Sequence, residues 1–283
     1  MLLYKDEYQC WLENAVEDDL HSLLRKMSQE EIEDAFYKNL AFGTGGLRGT
    51  IGAGTNRMNV YTVAKASQGL ADYLVENFSR PSVVIGFDSR IKSDVFARTA
   101  ASVFAANGVL THLWPHLNPV PTVSFAVRYL SASAGIMITA SHNPSKYNGY
   151  KVYGEDGCQI TTKAAAEILG EIEKLDIFID VKRLDFDAAV SEGKITYISE
   201  DVLTAFIENV KNQSVLFGEK VNRDASIVYS PLNGTGLIPV TRTLKEMGYT
   251  NITLVEEQRL PDGAFPTCPY PNPEIREAMA LGL

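Results

Sequence analysis

The sequence has few cysteines, no cluster of basic residues and no long apolar run. Its three cysteines, Cys10, Cys158 and Cys268, are far apart and show no paired spacing, which argues against a disulfide framework and against a zinc knuckle. The net charge of −9 and the lack of a basic run argue against nucleic acid and anionic membranes as partners. No apolar run approaches the roughly 18 residues that span a membrane, and the acidic N-terminus is unlike a signal peptide. We therefore expect a cytoplasmic protein whose partner is a small molecule.

What the sequence does contain is an alternation of helical and strand patterns. Apolar residues recur at helical spacing over residues 8–27, and a Ser-x-x-Glu capping box at residues 28–31 predicts a second helix. Two further amphipathic stretches, residues 93–107 and 161–175, also predict helices. Apolar stretches predict strands at residues 82–88, 108–114, 134–140 and 148–154. This alternation predicts an α/β fold, a three-layer α/β/α domain with a mixed, mostly parallel sheet.

A second unit is predicted to begin near residue 200. A helix follows that point, and residues 226–257 then show the pattern of strand, glycine turn, helix and strand. Two strands cannot bury the faces of such a unit, so we expect only part of a second, similar domain, cut by the end of the chain. The predicted domains are residues 1–200 and residues 201–283.

The stretch GIMITASHNPSKYNGYK, residues 135–151, passes from an apolar strand into a polar loop. Ser141 follows the strand by a few residues, and ligands of open α/β sheets bind beyond the carboxyl ends of the strands. A serine hydroxyl is a weak nucleophile that needs a base, a metal or a cationic pocket, and His142 and Lys151 supply such groups nearby. From these residues alone two interpretations stay open, a nucleophile or a serine that caps a turn.

A glycine-rich stretch, FGTGGLRGTIGAG, occupies residues 42–54. Its glycines let the backbone approach a ligand closely, and Arg48 offers a planar fork that matches phosphate oxygens. The stretch is neither a P-loop nor a dinucleotide fingerprint, because no Gly-Lys-Ser/Thr follows and the glycine spacing differs. By itself it predicts either an anion-binding loop or a flexible turn.

Other chemistries find weaker support. A serine hydrolase would place glycines around its nucleophile, whereas the neighbours of Ser141 are alanine and histidine. His112 and His116 have the spacing of a zinc-binding helix, but a proline and the strand-like context argue against that helix. Asp185 and Asp187 lack the glycine and the third carboxylate of a metal loop, so we interpret them as a solvated surface turn.

Taken together, the two stretches resemble a known family. TASHNPSKYNGYK, residues 139–151, resembles the phosphoserine loop of the α-D-phosphohexomutase superfamily. FGTGGLRG, residues 42–49, is similar to the N-terminal signature of its phosphoglucomutase/phosphomannomutase branch. VVIGFDSR at residues 83–90 resembles the first-domain strand and D-x-R turn, and SPLNGTG at residues 230–236 resembles a second-domain turn that often has His where this chain has Asn233.

The resemblance implies a mutase that interconverts hexose 1-phosphate and hexose 6-phosphate, with glucose as the expected sugar. Ser141 would carry a phosphoryl group, donate it to a sugar phosphate to form a bisphosphate, and take a phosphate back from the other end. Arg48 and Lys151 would stabilise charge or assist proton transfer, and His142 would hold the donor or take part in acid/base steps. The implied phosphate and substrate contacts are Thr44, Gly45, Arg48, Asn143 and Lys151.

The family also implies Mg²⁺, bound in part through the phosphate on Ser141, and glucose 1,6-bisphosphate as activator and intermediate. Family members are longer and have a D-G-D-x-D-R magnesium loop, a sugar-recognition loop and a further phosphate loop, none of which occurs in this sequence. We therefore expect an N-terminal fragment that is inactive alone. Two alternatives stay open: a non-catalytic fragment or interaction module that keeps the first domain, and a phosphomannomutase or phosphopentomutase.

Overall fold

A six-stranded sheet with helices on both faces forms the larger part of the molecule. The computed structural model describes residues 3–283. The strands in that range are β1 (Leu47–Thr50), β2 (Ser82–Phe87), β3 (Leu110–Leu113), β4 (Ala134–Ile138), β5 (Tyr147–Gly154), β6 (Ile195–Tyr197), β7 (Ile227–Tyr229) and β8 (Ile252–Leu254). The α-helices are α1 (Leu3–Asn14), α2 (Asp18–Leu24), α3 (Gln29–Phe36), α4 (Val60–Asn77), α5 (Ser93–Ala106), α6 (Val120–Tyr129), α7 (Thr162–Lys174), α8 (Phe186–Ser191), α9 (Glu200–Asn212), α10 (Leu237–Glu246), α11 (Glu256–Arg259) and α12 (Arg276–Met279).

The strands of the main sheet lie in the order β1-β5-β4-β2-β3-β6. The strands β4, β2, β3 and β6 are parallel to one another, whereas β5 runs antiparallel to both β4 and β1. The four predicted strands are confirmed, and so is the mixed, mostly parallel sheet. Because β5 returns directly beside β4, the loop that joins them is a tight connection at the carboxyl end of β4.

Both faces of the sheet are buried. Along β4, Ile136 and Ile138 point into an apolar cluster with α4, α5 and α7, whereas Met137 points into a second cluster with α6 and α9. This alternation follows from the two-residue period of a strand. The predicted three-layer α/β/α domain is therefore confirmed.

The N-terminal helices form a smaller apolar cluster against α4. Its centre is Trp11, which is fully buried and makes edge-on ring contacts to Phe36, Tyr61 and Phe178 at 5.7, 5.4 and 5.5 Å. The prediction of one continuous helix over residues 8–27 was wrong, because α1 ends at Asn14 and α2 begins at Asp18. There the backbone N–H of Val16 donates to the hydroxyl of Tyr61 at 2.7 Å, a tertiary bond that replaces a helical one.

Two local predictions have different outcomes. The capping box is confirmed: Ser28 accepts the N–H of Glu31, whose carboxylate in turn accepts the N–H of Ser28. The interpretation of the glycine-rich stretch as a loop was wrong in part, because Leu47–Thr50 forms strand β1. Pairing with β5, about a hundred residues further along the chain, supplies the hydrogen bonds that the local sequence does not suggest.

The second unit consists of β7, α10 and β8, with the two strands parallel. This confirms the predicted strand, turn, helix and strand. Helix α9 buries Val202, Leu203 and Ile207 on the main sheet and also contacts α10. The boundary at residue 200 stays a prediction. Within residues 3–283, no helix is both long and apolar enough to span a membrane.

Candidate active site

Ser141 lies three residues beyond β4, in the loop between β4 and β5. Its side chain is exposed, and its backbone has φ +58°, a left-handed conformation that is uncommon for residues other than glycine. The N–H of Ser141 donates to the Thr139 hydroxyl at 2.9 Å, and the Ser141 hydroxyl lies 3.4 Å from Nδ1 of His142. The sheet therefore presents this hydroxyl at its carboxyl edge, as the sequence predicts.

Arg90 holds the loop from below. Its side chain is fully buried, and its guanidinium donates to the backbone carbonyls of Ser141 at 2.7 Å, Asn143 at 2.5 Å, Pro144 at 3.0 Å and Tyr147 at 3.1 Å. One side chain thus binds almost the whole loop. The sequence offered a signal for this residue, the D-x-R turn after β2, but no indication of its partners.

Asp88 completes the support. One carboxylate oxygen accepts from the Ser93 hydroxyl at 2.7 Å and the N–H of Arg90 at 3.0 Å, and the other accepts from the Thr139 hydroxyl at 2.5 Å. The carboxylate also pairs with Arg90 Nε at 3.4 Å. Burial raises the pKa of Asp88, while these hydrogen bonds and the charge of Arg90 act in the opposite direction. The fold therefore fixes Ser141 through an unbroken chain of polar contacts.

Arg48 and Lys151 lie on the adjoining strands. Arg48 is exposed on β1, opposite Gly149 of β5, and Lys151 is half-buried two residues further along β5. Burial lowers the pKa of Lys151 and the positive charge of Arg48 lowers it further, against the opposing charge of Asp88. The two predicted cations therefore form one electropositive cluster beside the serine loop.

Thr44 and Gly45 are exposed at the tip of a turn that two backbone hydrogen bonds between Gly43 and Gly46 close. Gly46 has φ +74°, and a Cβ there would lie 1.8 Å from the carbonyl oxygen of Tyr150, so only glycine fits. The turn consequently lies against β5, next to Lys151.

Asn143 serves the loop itself. Its side-chain amide donates to the carbonyl of Ala140 at 2.8 Å, and its backbone N–H donates to the same carbonyl at 3.2 Å. The side chain therefore stabilises the turn after Ser141 in this structure.

A cavity of about 630 Å³ lies between the two units. Ser141 and His142 line it from one side, and residues 229–232, residues 234–236 and Phe265 line it from the other. The predicted residues Thr44, Gly45, Arg48, Asn143 and Lys151 do not line this cavity. The structure thus brings Ser141 and His142 together at the cavity and places Arg48 and Lys151 on neighbouring strands.

The remaining candidates take structural roles in the described residues. Asp185 accepts the N–H of Ala188 at 2.9 Å and caps α8, and Asp187 pairs with Arg98 at 3.3 Å, so this segment begins a helix rather than forming the predicted turn. His112, on β3, makes a hydrogen bond of 2.9 Å with the Thr196 hydroxyl.

The α/β/α domain that carries the exposed serine loop and the βαβ unit that follows it match two family models in that order. Residues 39–177 match phosphoglucomutase/phosphomannomutase alpha/beta/alpha domain I, and residues 204–283 match alpha/beta/alpha domain II. Together these stretches take in well over half of the chain. The chain therefore belongs to the phosphoglucomutase/phosphomannomutase family of mutases.

Individual relatives agree with this assignment. The chain is 40% identical over 272 residues to a phosphoglucomutase of Staphylococcus saprophyticus, covering 96% of this chain and 49% of that protein. It is 38% identical over 251 residues to a phosphoglucomutase of Staphylococcus haemolyticus, covering 89% of this chain and 45% of the relative. The chain thus spans about half the length of the curated relatives it matches.

Solved structures show the same fold. A putative phosphomannomutase from Thermus thermophilus superposes with a TM-score of 0.72 at 24% identity, over 86% of this chain and 51% of that one. A phosphoglucomutase/phosphomannomutase family protein from Burkholderia thailandensis gives a TM-score of 0.65 at 22% identity, over 84% and 48% of the two chains.

Proposed function

We propose that this chain carries the phosphoserine part of a phosphosugar mutase site, with Ser141 as the phosphoryl carrier. The observation that carries this proposal is the position of Ser141, an exposed hydroxyl in a rigidly held loop at the carboxyl edge of the sheet. The membership of the family and the phosphoglucomutase relatives support the same activity. The predicted domains, residues 1–200 and 201–283, belong to this proposal.

The proposed reaction has two phosphoryl transfers. In loading, Oγ of Ser141 attacks a phosphorus of a sugar bisphosphate, the bond from that phosphorus to the sugar oxygen breaks, and the serine proton passes to a base or to the leaving oxygen. In turnover, a hydroxyl of a hexose phosphate attacks the phosphorus of the phosphoserine, the bond from that phosphorus to Oγ breaks, and the hydroxyl proton passes to a base or to Oγ. The bisphosphate that forms then returns its other phosphoryl group to Ser141 by the loading step. Such transfers require in-line positioning and stabilisation of negative charge more than covalent chemistry from the protein.

Each predicted residue receives a proposed role from its place. For His142 we propose exchange of the serine proton, and the distance of 3.4 Å between its Nδ1 and the Ser141 hydroxyl supports this role. Lys151 suits charge stabilisation or proton transfer, because its lowered pKa makes the ammonium a better proton donor. Arg48 suits a phosphate contact, since its planar fork is exposed at the edge of the site.

We also propose substrate phosphate contacts for Thr44 and Gly45 and a role in the shape of the loop for Asn143. Thr44 and Gly45 lie at an exposed turn where a hydroxyl and backbone N–H groups are available to a substrate phosphate. Asn143 acts through the shape of the loop, because its amide is bound to the carbonyl of Ala140.

Magnesium is expected from the family, but the described residues do not supply its ligands. Within residues 3–283 there is no group of three or more His, Cys, Asp or Glu side chains that could hold a metal ion. The carboxylate beside the loop, Asp88, is occupied by its hydrogen bonds to Thr139, Ser93 and Arg90. The proposed contribution of this chain is limited to a phosphate on Ser141, and we assign no step to the metal.

The proposed substrate is a hexose phosphate, with glucose 1-phosphate as the first choice and glucose 1,6-bisphosphate as the loading agent. The names of the relatives support glucose, whereas the phosphomannomutase among the solved structures supports the fold alone. We propose a cytoplasmic location, because the three cysteines are free thiols. We also propose negligible turnover by this chain alone, since its described residues do not complete the metal site.

The test is phosphoryl loading. The purified chain is incubated with glucose 1,6-bisphosphate, and its intact mass and phosphorylated peptide are determined. We expect one phosphoryl group on Ser141, none in Ser141→Ala, and normal loading in Ser145→Ala, a matched change in the same loop. Phosphate on another residue, or none in the wild type, would contradict the proposal and favour the non-catalytic interaction module.

A further inference from the structure

The side-chain hydrogen bonds of Arg90 go to the backbone of a single loop, the one that carries Ser141. Its two terminal nitrogens donate to backbone oxygens of the loop, the carbonyls of Ser141, Asn143, Pro144 and Tyr147, at 2.5 to 3.1 Å, while Nε pairs with Asp88. Oxygens on four peptide units therefore point towards one buried cation. The opposite edges of those peptide units point away from it.

The geometry of the peptide bond determines where the N–H groups of these peptide units point. In a trans peptide unit the C=O and the following N–H point in opposite directions. When Arg90 binds the carbonyls of Ser141 and Pro144, the N–H groups of His142 and Ser145 therefore face outward. Neither of these two N–H groups donates to an acceptor in the described residues.

Three other N–H groups of the loop have partners, whereas the N–H of Lys146 donates to no acceptor in the described residues. The N–H of Ser141 donates to the Thr139 hydroxyl, that of Asn143 to the carbonyl of Ala140 at 3.2 Å, and that of Tyr147 to the carbonyl of Pro144 at 3.0 Å. The loop thus has both satisfied and outward-facing donors within seven residues. The N–H groups of His142 and Ser145 are the unbonded donors of residues 141–147 whose peptide units carry a carbonyl bound by Arg90.

We propose that Arg90 is a positioning residue that orients the N–H groups of His142 and Ser145 as an anion cradle for the phosphoryl group on Ser141. This inference rests on the proposed function and names backbone donors for it. Backbone N–H groups aimed at one point bind anions through charge-assisted hydrogen bonds. The buried charge of Arg90 below the loop adds to the attraction, and Asp88 offsets part of it.

The role requires a guanidinium. Arginine presents five N–H donors in a planar fork, whereas the ammonium of lysine presents three donors at one point. Four carbonyls spread over residues 141–147 exceed what a lysine at position 90 can bind. An Arg90→Lys variant therefore keeps the charge and the pairing with Asp88 but loses part of the carbonyl clamp.

The second unit covers Arg90. The ring of Phe265 packs 5.1 Å from the guanidinium, and a Cβ at Gly263 would lie 2.6 Å from the backbone nitrogen of Ile91. The side chain is therefore fixed from both sides, with the loop on one and the second unit on the other.

The first experiment uses the wild-type chain, labelled with ¹⁵N and titrated with inorganic phosphate. We expect the amide signals of His142 and Ser145 to shift most within the loop, and those of Asn143 and Tyr147, whose N–H groups are already bonded, to shift least. Equal shifts across the loop, or no shift at His142 and Ser145, would overturn the proposal. A purely structural arginine predicts no such selectivity.

The second experiment compares Arg90→Lys with Arg98→Lys, an exposed arginine on α5 that pairs with Asp187. We expect Arg90→Lys to weaken phosphate binding about tenfold, as for the loss of one charge-assisted hydrogen bond, and to speed amide exchange at Asn143 and Tyr147 by a similar factor. Arg98→Lys is expected to leave both unchanged. If Arg90→Lys keeps wild-type affinity and exchange, the proposal fails; if this variant does not fold, the wild-type titration decides.

The outcomes separate this inference from the proposed function. Selective shifts at His142 and Ser145 without phosphoryl loading of Ser141 would support the cradle and reject the mutase site. Loading of Ser141 with no response of these two amides, either to free phosphate or to the phosphorylated serine, would support the function and reject the cradle.

Discussion

Two loops of the molecule follow parallel strands and line the same cavity, yet only the first carries the exposed serine that we propose as the phosphoryl carrier. The loop at residues 139–147 follows β4, and the loop at residues 230–236 follows β7. Both contain left-handed residues, with φ +58° at Ser141, +50° at Leu232 and +55° at Asn233. Similar backbones at similar places therefore do not account for the difference.

What differs is the group that binds the carbonyls. Below the first loop, the buried Arg90 donates to four loop carbonyls, so the side chain of Ser141 stays free and exposed. In the second loop, Asn233 is 4% exposed, and its side-chain amide donates to the carbonyls of Glu257 at 3.3 Å and Leu260 at 2.9 Å. In the first loop a buried cation from another segment binds the loop carbonyls, whereas in the second loop the buried side chain of Asn233 binds the carbonyls of another segment.

The largest effect is expected from breaking the support of the first loop with Asp88→Asn. The change removes the carboxylate beside a fully buried Arg90 and turns an amide N–H towards groups that are themselves donors. Removing one partner of a buried ion pair costs about 3–5 kcal/mol, so we expect the free energy of unfolding to fall by that amount. Urea denaturation measures it.

The matched control is Asp187→Asn. Asp187 also pairs with an arginine, Arg98, at 3.3 Å, but its side chain is 86% exposed, so we expect little change. A loss of stability as small in Asp88→Asn as in this control would show that the buried pair does not support the loop.

A smaller effect is expected from Asn233→Ala in the second loop. The variant leaves two carbonyls without a donor and puts alanine at φ +55°, which together cost about 2–3 kcal/mol. Urea denaturation measures the loss, and amide shifts should be confined to residues 230–236 and 256–260. Asn233→Gly should recover about 1 kcal/mol of it, because glycine tolerates the left-handed backbone.

Amide shifts that spread into residues 139–147 on replacement of Asn233 would contradict the view that each loop has its own support. They would mean that the two loops depend on each other across the cavity rather than each on its own support.

A still smaller effect concerns the strain at Ser141. Because Ser141 has φ +58°, we expect Ser141→Gly to be more stable than Ser141→Ala by about 1 kcal/mol in thermal unfolding. Ser145, in the same loop, lies outside the left-handed region, so the order should reverse for Ser145→Gly and Ser145→Ala. The same order at both positions would mean that the left-handed backbone of Ser141 carries no cost.

Much of the fold could be predicted from the sequence because it depends on local periodicity. Residues close together in the sequence determine the four strand patterns, the capping box at Ser28 and the position of Ser141 just beyond a strand. The glycine-rich stretch was harder. Strand β1 exists because Leu47 and its neighbours pair with β5, and that partner lies far along the chain.

The supports of the site could not be predicted for a related reason. Arg90 binds backbone carbonyls, which every residue has, so the sequence of the loop shows no pattern that would reveal its partner. The pairing of Asp88 with Thr139 likewise joins residues that are 51 positions apart. The proposed phosphoryl carrier could be predicted from the sequence, whereas the residues that hold its loop could be identified only from the structure.

The last effect is a pH dependence that comes from Lys151, on β5 beside the first loop, and that the second loop should not show. Burial and the charge of Arg48 hold the pKa of Lys151 below its ordinary value of 10.5. Between the lowered pKa and 10.5 the unfolded chain therefore binds more protons than the folded one, so the free energy of unfolding rises with pH in that alkaline window. One such group contributes at most about 1.4 kcal/mol per pH unit.

We expect the stability of the wild type relative to Lys151→Met, measured by urea denaturation from about pH 8 upward, to increase with pH. The control is Asn233→Ala, which removes no titrating group, so the stability of the wild type relative to this variant should stay constant. A constant difference for Lys151→Met as well would mean that the cluster of Arg48 and Lys151 does not strain the folded protein.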